Sequence, residues 1–326
     1  MKRRRMVLAL AAMAGSVALP SRAQKAGRNY RVGALLGGGG LSIEPFRRVL
    51  SERLATHGFV EGRNLRIEAR GAAGLFHEDR NTVRELLAAK PDALFAATGH
   101  SAQAAQAATK EVPIVFTWVD DPIALGLVKA YARPGGNATG ATSRVGELLV
   151  KRLELARELV PGAKRIAVLG VVEGADYAAM AARLRKAAAS LGLELIETPS
   201  GGDWAGALGR AAKNGAEAVL LLAIVALQPV SGERIIRHAN QIRVPVVYAD
   251  AAAAESGGLL SYGTDLAEDM RRGADMLARV LRGDSPATLA VDQAARFELV
   301  VNLKTAREMG LTVPQQILLR ADRVIE

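Results

Sequence analysis

Thr98-Gly99-His100-Ser101 stands where an apolar run gives way to a helical pattern. Such a turn presents backbone N–H groups and the positive end of a helix dipole, the chemistry that holds a carboxylate. Gly99 would let the backbone come close to a ligand, and Ser101 would add a hydroxyl and an N–H; the competing role is an ordinary Ser or Thr cap. Asp120-Asp121-Pro122 closes the next apolar run. Asp121 before Pro122 has the pattern of an N-cap followed by proline at the first helical position. Asp120 has no such duty and suits a ligand ammonium. Ser42 and Glu44 follow the run Gly37-Gly38-Gly39-Gly40, and Glu173, Asp176, Tyr177, Ile224, Val225 and Asp250 follow later apolar runs. Tyr262 ends another, where it would stack on a ligand or pack a hinge. Trp118 reads as core, and Trp204, after a capping-type Asp203, as surface packing at a helix start.

Gly99-His100-Ser101-Ala102-Gln103 nearly spells the Gly-x-Ser-x-Gly elbow of α/β-hydrolases, which raises a serine hydrolase using Ser101. Gln103 stands where that elbow needs its second glycine. The later His238 lies inside a helical pattern around 231–242 rather than on a loop at a strand end. Histidines 57, 77, 100 and 238 are dispersed, and the chain has no cysteine, which removes thiolate metal sites and Cys nucleophiles. No metal or cofactor is expected. The glycine run does not continue into the Gly-x-Gly-x-x-Gly register of a dinucleotide site.

The elements that position these residues are short apolar strands alternating with amphipathic helices. Strands are expected at 31–36, 65–70, 93–97, 114–118, 165–169, 193–198, 218–223, 245–249, 259–262 and 297–301. Most are separated by 10–18 residues with apolar positions three and four apart, such as Phe46, Val49, Leu50 and Leu54. Apolar strands spaced by helices predict parallel sheets covered on both faces, an α/β architecture. Two successive series predict two doubly wound lobes, each with a crevice at the carboxyl ends of its strands. The material after Ala251 is too short for a third domain. The strand at 259–262 and its helix are therefore expected to return to the first lobe, and the strand at 297–301 to the second. The expected boundaries are 28–141 plus 253–284 for the first lobe and 142–252 plus 285–326 for the second.

The N-terminus speaks to compartment. Lys2-Arg3-Arg4-Arg5 precedes an uncharged apolar run from Met6 to Leu19, and Pro20-Ser21-Arg22-Ala23 offers small residues for cleavage. This is the layout of an export signal occupying 1–23, too short for a span of roughly 20 residues. Arg4-Arg5 leaves the twin-arginine route open beside the general one. Five excess positive charges leave with the leader, so a net charge of +10 becomes +5. The remaining basic residues have acidic neighbours and aromatics are 4% of the chain, which argues against a nucleic-acid footprint. Without a cysteine for a lipid anchor, the mature chain should be freely soluble in the periplasm.

Several stretches carry a family likeness. Gly58-Phe59-Val60-Glu61-Gly62-Arg63-Asn64-Leu65 resembles a stretch of bacterial substrate-binding proteins serving ABC-type importers, in the branch with tryptophan- and tyrosine-binding members. The likeness continues in Val112 to Phe116, Asp121-Pro122, Ala132 to Gly140, Ser261 to Leu266 and Phe297 to Ala306. It implies the type I periplasmic-binding-protein fold: two lobes, three crossings, and a small carboxylated solute (an amino acid or similar) enclosed between them. It also implies permease subunits as partners and a monomeric binder; a sensor module signalling to a receptor would use the same fold. Two loops depart from the pattern, Gly37 to Ser42 and Gly170 to Tyr177. The likeness therefore implies the fold more firmly than which solute is bound.

Overall fold

The computed structural model describes residues 28–36, 43–71, 76–170, 175–198, 203–222, 229–293 and 296–326. The first lobe is built from β1 (Tyr30–Leu36), α1 (Glu44–Thr56), β2 (Leu65–Gly71), α2 (Phe76–Ala88), β3 (Ala93–Ala96), α3 (Gly99–Ala108), β4 (Ile114–Val119) and β5 (Ala138–Thr142). The second lobe follows with α4 (Val145–Leu159), β6 (Arg165–Leu169), α5 (Ala175–Ser190), β7 (Glu194–Thr198), α6 (Trp204–Lys213) and β8 (Ala218–Leu221). It continues through α7 (Pro229–Ile242), β9 (Val246–Tyr248), α8 (Ala251–Glu255) and β10 (Leu260–Gly263). The chain then re-crosses in α9 (Leu266–Leu281) and β11 (Asp292–Gln293), and ends with β12 (Glu298–Asn302), α10 (Leu303–Met309), α11 (Gln315–Arg320) and β13 (Arg323–Ile325).

All ten expected strands form. The first sheet runs β11-β5-β4-β3-β1-β2 and the second β13-β12-β10-β9-β8-β6-β7. Within each, the first five strands of the lobe take the order 2-1-3-4-5, so the two lobes repeat one doubly wound topology. Pairing is parallel except where β12 runs against β10. The first sheet is sandwiched as its apolar strands require. Leu50 and Leu54 of α1 with Met270, Leu277 and Leu281 of α9 cover one face, and Val83, Leu86, Ala102 and Ala105 of α2 and α3 cover the other. Each such Leu or Met, fully buried, contributes about 1.5–3 kcal/mol. The second sheet is covered by Leu149, Leu153, Leu184 and Ile317 on one side and Leu208, Ile235 and Ile236 on the other. Trp204 is buried in this second core rather than lying on the surface.

The lobes are discontinuous and joined by three crossings, at 143–144, 264–265 and between β11 and β12. The boundaries differ from those expected. The strand expected to extend the first sheet, β10, pairs instead with β9 and β12 in the second. It follows β9 through the short α8, so β9's free edge is its nearest partner, and consecutive strands usually pair. What returns to the first lobe is α9, whose stripe Met270, Ala274, Leu277, Ala278 and Leu281 fits beside α1. The segment 285–293 also belongs to the first lobe. Leu289 and Val291 are buried in its two cores, and β11 pairs with β5.

Candidate functional site

In doubly wound sheets the ligand crevice lies outside the carboxyl ends of the strands where their order reverses. Here those points are β1/β3 in the first lobe and β6/β8 in the second. The turn Thr98 to Ser101 follows β3 and so borders the first. Thr98 is the N-cap of α3, its Oγ1 accepting from the Ser101 N–H at 3.1 Å. The Thr98 hydroxyl donates to Ser101 Oγ at 2.8 Å, and Ser101 Oγ donates to Asp79 of α2 at 2.9 Å. Ser101 is fully buried, so its hydroxyl ties α3 to α2 instead of facing the crevice or acting as an exposed nucleophile. Gly99 is buried and His100 half-buried at the same turn. Ser42, Glu173, Ile224 and Val225 lie outside the described residues, as do the side chains of Asp176 and Tyr177. Glu44 is exposed at the start of α1, paired with Arg47.

Asp120 and Asp121 emerge from an irregular strand end. Trp118 adopts φ 54°, and the β4–β5 register slips between Phe116 and Val119. A left-handed backbone is costly for a bulky residue, and the bulge re-aims the chain beyond it. The Trp118 ring packs edge-on against Phe46 of α1, centroids 5.2 Å apart. Asp120 then reaches the second lobe: Oδ1 accepts from the Gly146 N–H in the first turn of α4 at 2.8 Å, and Oδ2 from Arg183 of α5 at 3.4 Å. Asp121 caps its own turn through the Ala124 N–H at 2.9 Å and accepts from the same Arg183 at 2.9 Å. Burial raises the Asp120 pKa, with the Gly146 bond and Arg183 opposing it.

In the second lobe, Asp250 follows β9 and caps α8 through Oδ1 and the Ala253 N–H at 3.2 Å. Its Oδ2 is buried with no hydrogen-bond partner. Arg152 of α4, which the sequence reading passed over, is fully buried beside it. Its Nε donates to the Tyr262 carbonyl at 2.6 Å and its Nη2 to that of Ala249 at 3.4 Å, which ties the ends of β9 and β10 together. Burial lowers the Arg152 pKa to about 10, with Asp250 opposing the shift through space. Gly263 makes room for this joint, since a Cβ there would lie 1.7 Å from the Ala249 carbonyl oxygen. Tyr262 packs against Phe297, centroids 6.3 Å apart, and the Phe297 ring carries the Arg144 guanidinium at 5.7 Å. Tyr262 thus packs among residues of all three crossings.

A second arginine fastens the hinge from the first-lobe side. Arg272 of α9 donates to the Thr142 carbonyl at 2.9 Å, to Asp292 Oδ2 at 3.4 Å and to Asp269 Oδ1 at 3.3 Å. Asp269 accepts the Thr264 hydroxyl at 2.8 Å. One guanidinium therefore connects the ends of β5 and β11 and, through Asp269, the residue after β10. The signals in the sequence were weak: Arg152 interrupts an apolar helical stripe, and Asp269 and Arg272 stand three apart on a helix. Among the described residues no group of three or more His, Asp or Glu could hold a metal ion, and no helix is long and apolar enough to cross a membrane.

Residues 42–325 match the family model described as ABC transporter substrate binding protein. The chain belongs to this family. That is a family of binding proteins, not of enzymes. Among its relatives, this substrate-binding protein is 26% identical to a tyrosine-binding protein of Clostridioides difficile (strain R20291) over 272 residues, 83% of this chain and 78% of the relative. A conserved domain protein from Vibrio cholerae is similar in structure, with a TM-score of 0.78 and 30% identity, covering 91% of this chain and 99% of the other. A Streptococcus pneumonia domain solved in complex with L-Trp has a TM-score of 0.77 at 23% identity, covering 91% and 100%.

Proposed function

We propose that this chain is the exported solute receptor of an ABC importer, closing its two lobes on a small carboxylated solute of the amino-acid class. The observation that carries this reading is the reversal of strand order at β1/β3 and at β6/β8, in two lobes joined by three crossings. The tyrosine-binding relative and the L-Trp complex support the solute class. The N-terminus of α3 favours an anion on its dipole. Gly99 lets backbone approach, and the turn 98–101 is the proposed carboxylate end. Ser42, Glu173, Tyr177 and Ile224 are proposed as further ligand contacts, and Asp250 offers an acceptor at the end of β9. Ligand touches both lobes only in the closed form, so binding shifts the population toward closure. The closed form then engages permease subunits as a monomer. The leader 1–23 would deliver the chain to the periplasm by the general or twin-arginine route.

A thermal-shift screen of mature protein against the proteinogenic amino acids and small organic acids tests the reading. A ligand at 100 times its Kd stabilises by about 2.7 kcal/mol, so aromatic amino acids should raise Tm by several degrees. A panel in which no carboxylated solute moves Tm would sink it.

A further inference from the structure

The contact between Asp120, Asp121, Gly146 and Arg183 joins the lobes without passing through a crossing. Helix α4 opens the second lobe without a cap of its own: Arg144 at its N-cap position has φ 52° and makes no side-chain cap bond. Asp120, from the first lobe, supplies the acceptor to the Gly146 N–H. Arg183 then closes over the same carboxylate and its neighbour Asp121, at 3.4 and 2.9 Å. The fit is close. A Cβ on residue 146 would lie 2.5 Å from Asp120 Oδ2 and 3.0 Å from Arg183 Nη1, so the interlock is built around a glycine. The charge pattern makes it conditional. Asp120 and Asp121 are adjacent carboxylates with Glu147 nearby; burial first, then Asp121 and Glu147, raise the pKa of Asp120. Glu147 is paired with Arg144, which leaves Arg183 as the cation facing both aspartates.

We propose that Arg183 is a positioning residue for solute capture: it latches α5 of the second lobe onto Asp120 and Asp121 of the first, favouring closure without touching the ligand. The bond from Gly146 lies two residues past the first crossing and acts as the pivot. The Arg183 bonds come from a different helix and, in this proposal, form on closure and part when the lobes swing. Withdrawal of Arg183 leaves both carboxylates hydrated on the first lobe and removes this attraction between the lobes, which favours the open form. The latch rests on the two-lobed closure proposed above but not on the identity of the solute.

The chain has no cysteine, so two can be introduced for spin labels, at Arg48 on α1 and Lys213 on α6. Ligand-free interlobe distances and L-tryptophan affinity are then measured for the parent, Arg183→Glu, Arg183→Ala and the swap Arg183→Glu/Asp121→Arg. Exposed ion pairs change equilibria by small factors. Arg183→Ala should therefore weaken affinity about two- to fivefold, and Arg183→Glu about tenfold. Both should lengthen the ligand-free distances, and the swap should move distance and affinity back toward the parent. Unchanged ligand-free distances in Arg183→Glu would overturn the latch, as would a loss that the swap does not reverse. Lengthened, swap-reversible distances in a protein that binds no amino acid would keep the latch and reject the amino-acid reading. The distance arm therefore separates the two failures.

Discussion

At the scale of single residues, the same chemistry serves structure or ligand depending on which way a side chain is turned. Ser101 has the type and position of a carboxylate binder, yet its hydroxyl is buried and bonded to Asp79. Ser101→Ala removes a donor from a buried carboxylate, an arrangement that costs about 1–3 kcal/mol when left unmade. Urea unfolding should show that loss in full, while affinity for a bound amino acid changes less than about threefold. An affinity collapse with unaltered stability would place Ser101 on the ligand instead. Asp121 caps as its sequence pattern predicts, but over a turn beside Pro122 and not a helix, and it also takes the interlobe contact that no local pattern encodes.

Among the elements, α9 has two roles that its sequence runs together. One face is an apolar stripe that packs on α1, and the other carries the Asp269–Arg272 hinge fastening. The Asp269 carboxyl is pushed up to about 6, chiefly by burial, with the Thr264 hydroxyl and Arg272 opposing and Asp265 and Glu268 adding to the rise. An unfolded aspartate titrates near 3.9. Between about pH 6 and pH 4 the native chain therefore binds a proton that the unfolded chain does not, and this group's contribution to stability rises as pH falls through that window. Relative to Asp269→Asn, the wild type should gain about 1–3 kcal/mol between pH 7.5 and pH 4.5, read from paired urea titrations. A difference that stays flat with pH would mean that burial leaves Asp269 ordinary.

For the whole molecule, the proposed loss of the leader would be the largest change in charge, since Lys2, Arg3, Arg4, Arg5 and Arg22 would depart together and leave +5. Mass spectrometry of the exported protein should give an N-terminus at Gln24 with no lipid adduct. Retention of Met1 in the exported fraction would contradict the proposed processing. The two lobes that remain repeat one topology without a convincing sequence repeat, as expected when strand order is set by packing rules and not by particular residues.

The alternation of apolar strands and amphipathic helices determined the α/β class, the ten principal strands and the existence of two lobes, because burial on both faces imprints itself locally. β5, β11 and β13 escaped that pattern. β5 is Ala-Thr-Gly-Ala-Thr, with no bulky apolar side chain, and the other two are two and three residues long. Which sheet received β10, and where the chain re-crossed, depended on a free strand edge and a matching helix face, neither visible in a linear pattern. Ser101, Asp120, Arg152, Arg183 and Arg272 each have a partner that lies 22 to 130 residues away along the chain. Spacing records what one element can do by itself. Only the tertiary structure decides which buried group meets which, because desolvation makes each such pairing a property of two elements at once.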